Sequence, residues 1–282
     1  MDNLGYDLMR PLVTGAQGFL GNQLVGFLKV NYENVISTGR RKNNDQIQCD
    51  LMDRKGVRNL IDNNKPDIII HCAATVPKKH DDYNKNIYHD DLVMLSNIIS
   101  KSSCPILFIS SMTVYGKNLK KPVVEEDAGK PRTVYGKMKW DCENLLLSSN
   151  RIGYSIRIPG LFGLPRKSGI IYNLLYGVKY NKSIKLPDYP LAWASMYVND
   201  AALSILKLLK YELNTFKHIN VGYPGKYSIN FLVDKINGLF NSNIKYNIVQ
   251  PTFEFDLSKA ISYNMEPKNS LDQAITTFYN QI

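Results

Sequence analysis

With 282 residues, 44% of them hydrophobic and 21% charged, the chain is long enough to bury an ample core in one large α/β domain or two smaller ones. The net charge of +10 comes from lysines and arginines spread along the chain, with no long basic run and no basic-aromatic alternation, so no nucleic-acid partner is expected. No apolar run approaches the roughly 18 residues of a membrane span, and MDNLGYDLMRPL lacks the charge order and apolar length of a signal peptide, so no membrane partner is expected either.

In chain order, PLVTG (11–15) reads as a first strand, with Pro11 at its first residue because a central strand needs its ladder hydrogen bonds. FLGNQLVGFLKV (19–30) is a helix, NVIST (34–38) a strand and GVRNLIDNNK (56–65) a helix. DIIIHCA (67–73) is a buried strand, followed after a polar stretch by DDLVMLSNIISK (90–101), whose apolar residues recur at helical spacing. PILFISS (105–111) is another strand. A helix begins near Tyr135 and continues through WDCENLLLSS (140–149), and YSIRIPG (154–160) closes the series. This alternation is the pattern of a parallel sheet with crossover helices.

From about Gly160 the residues Gly, Pro, Tyr and Lys interrupt the apolar runs through LFGLPRKSG and NKSIKLPDYPLAW, which predicts loops in a smaller lobe. VNDAALSILKLLK (198–210) is a helix with Asn199 or Asp200 near its start, and HINVG (218–222) a strand returning to the sheet. SINFLVDKINGLF (228–240) and SLDQAITTFYNQI (270–282) are amphipathic helices. The four cysteines, Cys49, Cys72, Cys104 and Cys142, form no CxxC pair and stand far apart, so neither a metal site nor a disulfide framework is indicated and a cytoplasmic location is expected.

VTGAQGFLG places Gly15, Gly18 and Gly21 between a predicted strand and a predicted helix. Gly15 permits the tight turn, Gly18 the approach of a pyrophosphate, and Gly21 close helix packing, while the helix N-terminus offers free N–H groups to phosphates. A glycine triplet alone occurs by chance in turns; the strand-turn-helix context makes it a dinucleotide site. Gln17, Phe19 and Leu20 fall in the same loop and first turn and are counted as cofactor contacts. After the second strand comes Ser37-Thr38-Gly39-Arg40-Arg41, with no carboxylate for a ribose 2′-hydroxyl. Unless Arg40 and Arg41 are merely surface residues, they favour a 2′-phosphate, so NADP(H) is preferred and NAD(H) possible. Asp50 and Leu51 are placed to flank the adenine. The expected fold is α/β, a doubly wound parallel Rossmann sheet over 1–159 rejoined by 197–222. A smaller mixed α/β substrate-binding lobe comes from 160–196 and 223–282.

TGAQGFLG, CDLMD, PDIIIHCAA, ISSMTVYG, YGKMK, VNDAA, NVG and DLSKA, in that order and spacing, resemble the extended short-chain dehydrogenase/reductase family of nucleotide-sugar epimerases, dehydratases and reductases. The likeness covers essentially the whole chain. It implies a Tyr-x-x-x-Lys pair at a helix start, Tyr135 and Lys139, and a Ser or Thr four residues before the Tyr of VYG, Ser111, with Thr113 as the alternate. A tyrosine has an unperturbed pKa of about 10. A lysine ammonium one turn away and a cationic oxidised nicotinamide both favour the phenolate, so Tyr135 would exchange a proton with the oxygen beside the hydride-bearing carbon. Ser111 would hold that oxygen, Lys139 would also bond the nicotinamide ribose, and Ala73 and Ala74 would line the cleft.

The family's dehydratases carry an Asp-Glu pair where this chain has Met112 and Thr113, which argues against dehydration. The arginine that commonly binds the substrate diphosphate is replaced by Trp193, a residue for core packing or for stacking on a base or sugar; either the substrate differs, or Arg166, Lys167, Lys179 or Lys182 supplies the charge. The expectation is an NADPH-dependent reductase of a keto group on a sugar or nucleotide-sugar, with Thr113, Arg166 and Trp193 as substrate residues. The alternatives are an NAD-dependent nucleotide-sugar epimerase and a non-catalytic dinucleotide-binding sensor. The resemblance also implies a homodimer packed through DDLVMLSNIIS and WDCENLLLSS, whose apolar faces would equally serve as ordinary core.

Overall fold

In the computed structural model, residues 8–43, 45–75, 85–116 and 122–282 are described, and the polar stretch 76–84 lies outside them. Strand β1 (Pro11–Thr14) is buried throughout. Leu12 is its first residue paired on both sides, with Ile36 and Ile69, whereas Pro11 aligns only with Ile68. The residue without an N–H therefore stands at the strand's entry, where a ladder bond is least needed.

The further strands are β2 (Ile36–Gly39), β3 (Ile47–Gln48), β4 (Ile68–His71), β5 (Ile106–Ser111), β6 (Gly153–Ile158), β7 (Gly160–Phe162), β8 (Ser195–Tyr197) and β9 (Phe216–Asn220). Seven of them form a parallel sheet in the order β3-β2-β1-β4-β5-β6-β9, and β7 pairs with β8 separately. The helices are α1 (Phe19–Asn31), α2 (Arg54–Asn64), α3 (Lys85–Lys101), α4 (Val134–Ser148), α5 (Ile170–Tyr180), α6 (Val198–Lys207), α7 (Ile229–Phe240), α8 (Ser258–Ser262) and α9 (Leu271–Gln281).

Successive strand residues point to opposite faces, and two apolar cores result. Leu12, Ile69, Ile106 and Phe108 pack with Val57 and Leu60 of α2, Leu95 and Ile98 of α3, and Cys142 and Leu146 of α4. Val13, Ile70, Leu107 and Ile109 belong to the other core, with Leu24 and Leu28 of α1 and Ala202 and Ile205 of α6. Each fully buried leucine or isoleucine contributes about 1.5–3 kcal/mol. The result is a doubly wound Rossmann sheet whose strand order reverses between β1 and β4, which opens a crevice beyond their C-terminal ends.

The stretch from Gly160 to Trp193, expected as loops, holds β7 and α5. Ile171, Leu174 and Leu175 are buried on α5, which packs against α7 and α9. Gly177 is required there, because a Cβ would stand 2.2 Å from Ile184 Cγ1.

Charge is also buried behind the sheet. Glu143 on α4 receives Arg157 of β6 through Nε at 3.0 Å and Nη2 at 2.6 Å, and Ser110 and Ser155 donate to the same carboxylate at 2.5 and 2.7 Å. Arg157 Nη1 donates to Tyr115 Oη and to the Glu125 carbonyl, and Tyr115 in turn donates to Asn220 at the end of β9. Burial alone would raise the Glu143 pKa; Arg157 outweighs it and holds the carboxyl below its ordinary range.

Candidate active site

The turn between β1 and α1 is built from glycines that lack room for a side chain. Gly15 has φ of +65°, and a Cβ on it would lie 2.6 Å from the Ala73 backbone nitrogen beyond β4. A Cβ on Gly21 would lie 2.3 Å from the Gly15 carbonyl oxygen, and one on Gly18 would lie 3.0 Å from it. Gly18 leaves the first turn of α1 with no capping side chain, as do the starts of α5, α6 and α8, whereas Asp53, Thr133, Ser228 and Ser270 cap α2, α4, α7 and α9. Phe19 and Leu20 open that turn. A backbone cradle at an uncapped helix start, on the crevice where strand order reverses, fits a dinucleotide pyrophosphate.

Helix α4 starts at Thr133, whose hydroxyl accepts from the Gly136 N–H at 2.9 Å. Gly136 lies against the 3-10 turn Met112–Val114 that follows β5: a Cβ there would be 2.2 Å from the Thr113 carbonyl oxygen. That contact brings Tyr135, half-buried, and Ser111, buried, to the same end of the sheet. Lys139 is 4% exposed; its Nζ donates to the Ile109 carbonyl at 3.1 Å, 4.8 Å from the centre of the Phe108 ring and 5.8 Å from that of Tyr135. Burial alone would lower its pKa, but Tyr135, Asp91 and neighbouring thiols outweigh this and keep the ammonium above its ordinary value. Ser111 Oγ accepts from the Thr113 N–H at 3.2 Å and from Thr113 Oγ1 at 3.0 Å.

Two titratable groups near Lys139 escaped the sequence reading. His71 is buried, 2.8 Å from Thr14 Oγ1, and burial followed by the charge of Lys139 lowers its pKa to about 3. Asp91 is buried on α3 and accepts from the Thr75 N–H at 2.6 Å; burial raises its pKa against the pull of Lys139. For Asp91 the signal in the sequence was an acid doublet at the head of an apolar helical run.

The remaining expected positions differ in their surroundings. Ala73 and Ala74 are half-buried beyond β4. Arg40 and Arg41 are exposed after β2, and Gln17 turns its amide toward the backbone of Arg41. Asp50 is exposed with Oδ1 bonded to the Met52 N–H, and Leu51 is buried. Arg166 is exposed, its guanidinium 6.0 Å from the Phe19 ring centre, which sets it beside the glycine turn. Lys179 is engaged elsewhere, donating to the Tyr279 carbonyl at 2.8 Å. Trp193 is half-buried against the main core. A cavity of about 530 Å³ among Tyr227, Phe231, Met265 and Asn269 shares no residue with this site. Among the described residues the four cysteines are free, no cluster of His, Cys, Asp and Glu converges to hold a metal, and no helix is long and apolar enough to cross a membrane.

The family model described as the NAD dependent epimerase/dehydratase family matches residues 11–222, from β1 to the residues beyond β9. The chain belongs to the NAD-dependent epimerase/dehydratase family. Its fold is also that of solved structures. UDP-glucose 4-epimerase from Thermotoga maritima, with UDP-glucose, superposes with a TM-score of 0.81 over 96% of this chain and 98% of that one at 20% identity. GDP-mannoheptose C4 reductase from Campylobacter jejuni, with NADP bound, gives 0.77 over 96% and 97% at 18% identity. Among curated relatives, methionine adenosyltransferase 2 subunit beta of Xenopus laevis is 27% identical over 225 residues, 75% of this chain and 65% of that protein. The Bos taurus and Mus musculus proteins of the same name match over 47% of their length, so the chain spans less than two thirds of these relatives.

Proposed function

We propose that the chain is an NADPH-dependent reductase of a keto group on a sugar or nucleotide-sugar. The carrying observation is the buried Lys139 ammonium, fixed on Ile109 and beside the Tyr135 ring, at the end of the sheet where the glycine cradle lies. A bound reduced nicotinamide supplies the hydride to the carbonyl carbon. Tyr135 Oη gives its proton to the carbonyl oxygen as that oxygen gains charge, and the nearby ammonium stabilises the phenolate left behind. Ser111 Oγ accepts two hydrogen bonds from Thr113, so its own O–H is left to donate to the substrate oxygen. Arg166, beside Phe19, is the cation we assign to a substrate diphosphate. Arg40 and Arg41 favour the 2′-phosphate of NADP over the hydroxyl of NAD, which supports net reduction over epimerisation.

A second reading rests on the curated relatives, which are named as a subunit of methionine adenosyltransferase: a non-catalytic dinucleotide-binding chain held by a partner. We include a cytoplasmic homodimer packed through α3 and α4 in the first reading, to be checked by light scattering. Incubation with NADPH or NADH and a panel of keto-sugar nucleotides separates the cases. Net cofactor oxidation supports the reductase, isomerised product without net oxidation the epimerase, and neither the subunit. Tyr135→Phe is expected to abolish turnover while cofactor affinity stays near wild type; retained turnover removes Tyr135 from the mechanism.

A further inference from the structure

The arginine pair after β2 is held by its backbone. Gln17 Nε2 donates to the Arg41 carbonyl at 2.6 Å, and Gln17 Oε1 accepts from the Arg41 N–H at 3.2 Å. Gln48 Nε2 donates to the Arg40 carbonyl at 3.2 Å. Gly39 leaves the space that the first amide fills, since a Cβ there would stand 2.4 Å from Gln17 Cδ. The two guanidiniums are exposed, and neither pairs with a carboxylate among the described residues.

Gln17 itself lies between Gly15 and Gly18, in the turn that would receive the pyrophosphate. One side chain thus ties the pyrophosphate turn to the two residues that would read the ribose substituent. From this geometry we propose that Gln17 is a positioning residue for nucleotide selectivity: it does not read the cofactor itself but fixes where Arg41, and with it Arg40, presents its charge. A loop already ordered loses less freedom when it closes on a phosphate, so the clamp favours the phosphorylated nucleotide and leaves the unphosphorylated one nearly unaffected.

The inference rests on the NADPH reading above. Its test is a set of dissociation constants for NADPH and NADH, from nucleotide fluorescence, on wild type, Gln17→Met, Gln48→Ala, Gly39→Ala and the Arg40→Ala/Arg41→Ala double variant. Gln17→Met keeps the volume and removes both amide bonds. The NADPH constant is expected to rise about tenfold, as for two hydrogen bonds of ordinary net strength, with NADH changed by less than about twofold. Gly39→Ala, which pushes the amide out from the other side, should move selectivity the same way and serves if Gln17→Met folds poorly. Gln48→Ala should give a smaller shift of the same sign. Equal weakening of both nucleotides would make Gln17 a part of the phosphate turn only, and unchanged selectivity in Gln17→Met and Gly39→Ala would leave the clamp without effect; either result overturns the proposal. If wild type and the double arginine variant both bind the two nucleotides alike, the NADPH reading falls first and the clamp with it.

Discussion

Replacing Glu143 by glutamine removes a charge where no water can substitute for it. The Glu143 and Arg157 side chains are both 0% exposed, joined at 2.6 and 3.0 Å, with Ser110 and Ser155 donating to the same carboxylate. A glutamine supplies one acceptor oxygen and one NH2, so in either orientation a donor faces a donor, and the guanidinium is left buried without a counter-charge. Breaking a buried pair from one side costs about 3–5 kcal/mol. At about 2.1 cal/mol/K per residue, unfolding of 282 residues carries roughly 0.6 kcal/mol/K, so Glu143→Gln is expected to lower Tm by about 5–8 °C. Differential scanning calorimetry at pH 7 measures this, and the Glu143→Gln/Arg157→Met double variant should recover a large part of the loss. The folded pKa of Glu143 is depressed, so its stabilisation is present above the unfolded carboxylate value of about 4.3 and is lost as pH falls through the folded one. The gap between wild type and variant should therefore stay constant from pH 7 to about 5 and close only in stronger acid. A Tm drop below about 2 °C at pH 7, or a double variant as unstable as the two singles combined, refutes the reasoning.

Two further outcomes follow from the same contacts. His71, lowered to about 3 by burial and Lys139, is neutral in the fold, whereas an unfolded imidazole titrates near 6.5. The associated stability is full above about pH 6.5 and falls by about 1.4 kcal/mol per pH unit below it, so urea unfolding of His71→Gln should show a flatter pH dependence between about 6.5 and 4.5; an unchanged slope excludes His71. Gly136→Ala would place a Cβ 2.2 Å from the Thr113 oxygen. A helix-propensity gain of about 1 kcal/mol offsets part of an overpacking cost of about 1–3 kcal/mol, so stability should fall by no more than about 2 kcal/mol. Separating Tyr135 from Ser111 by about 1 Å should cost about a hundredfold in turnover, and activity within about threefold of wild type contradicts that coupling.

Much of the fold was legible because its signals are local. The glycine turn follows a continuous apolar run and precedes residues at 3.6 spacing, and Pro11 itself marks where β1 begins. Helix α5 was hidden because Tyr172, Tyr176, Tyr180 and Gly177 dilute its apolar spacing, although Ile171, Leu174 and Leu175 carry it into the core. Strands β7 and β8 hold three residues each, and their pairing of Gly160 with Ser195 has no local signature. In the site, the family resemblance pointed to Tyr135 and Lys139, but the orientation of polar side chains depends on distant partners. Gln17 reads as a cofactor contact until Arg41, 24 residues on, is found to take both ends of its amide. Nothing local to YSIRIPG announces that Arg157 is buried against Glu143, opposite it on α4.

Two adjacent serines end β5, and they have separate fates. Ser110 turns to the carboxylate of Glu143, and Ser111 to Thr113 at the mouth of the crevice. Their alignment with Arg157 and Ile158 of β6 decides which serine goes where. A slip that set Ser111 opposite Arg157 would hand it to the carboxylate, withdraw a hydroxyl from the mouth, and put Ile109 opposite the buried Ser155. The ionic cluster thus works as a detent on the strand: it penalises the misaligned chain far more than it rewards the aligned one, and the hydroxyl at the crevice inherits its place from that penalty.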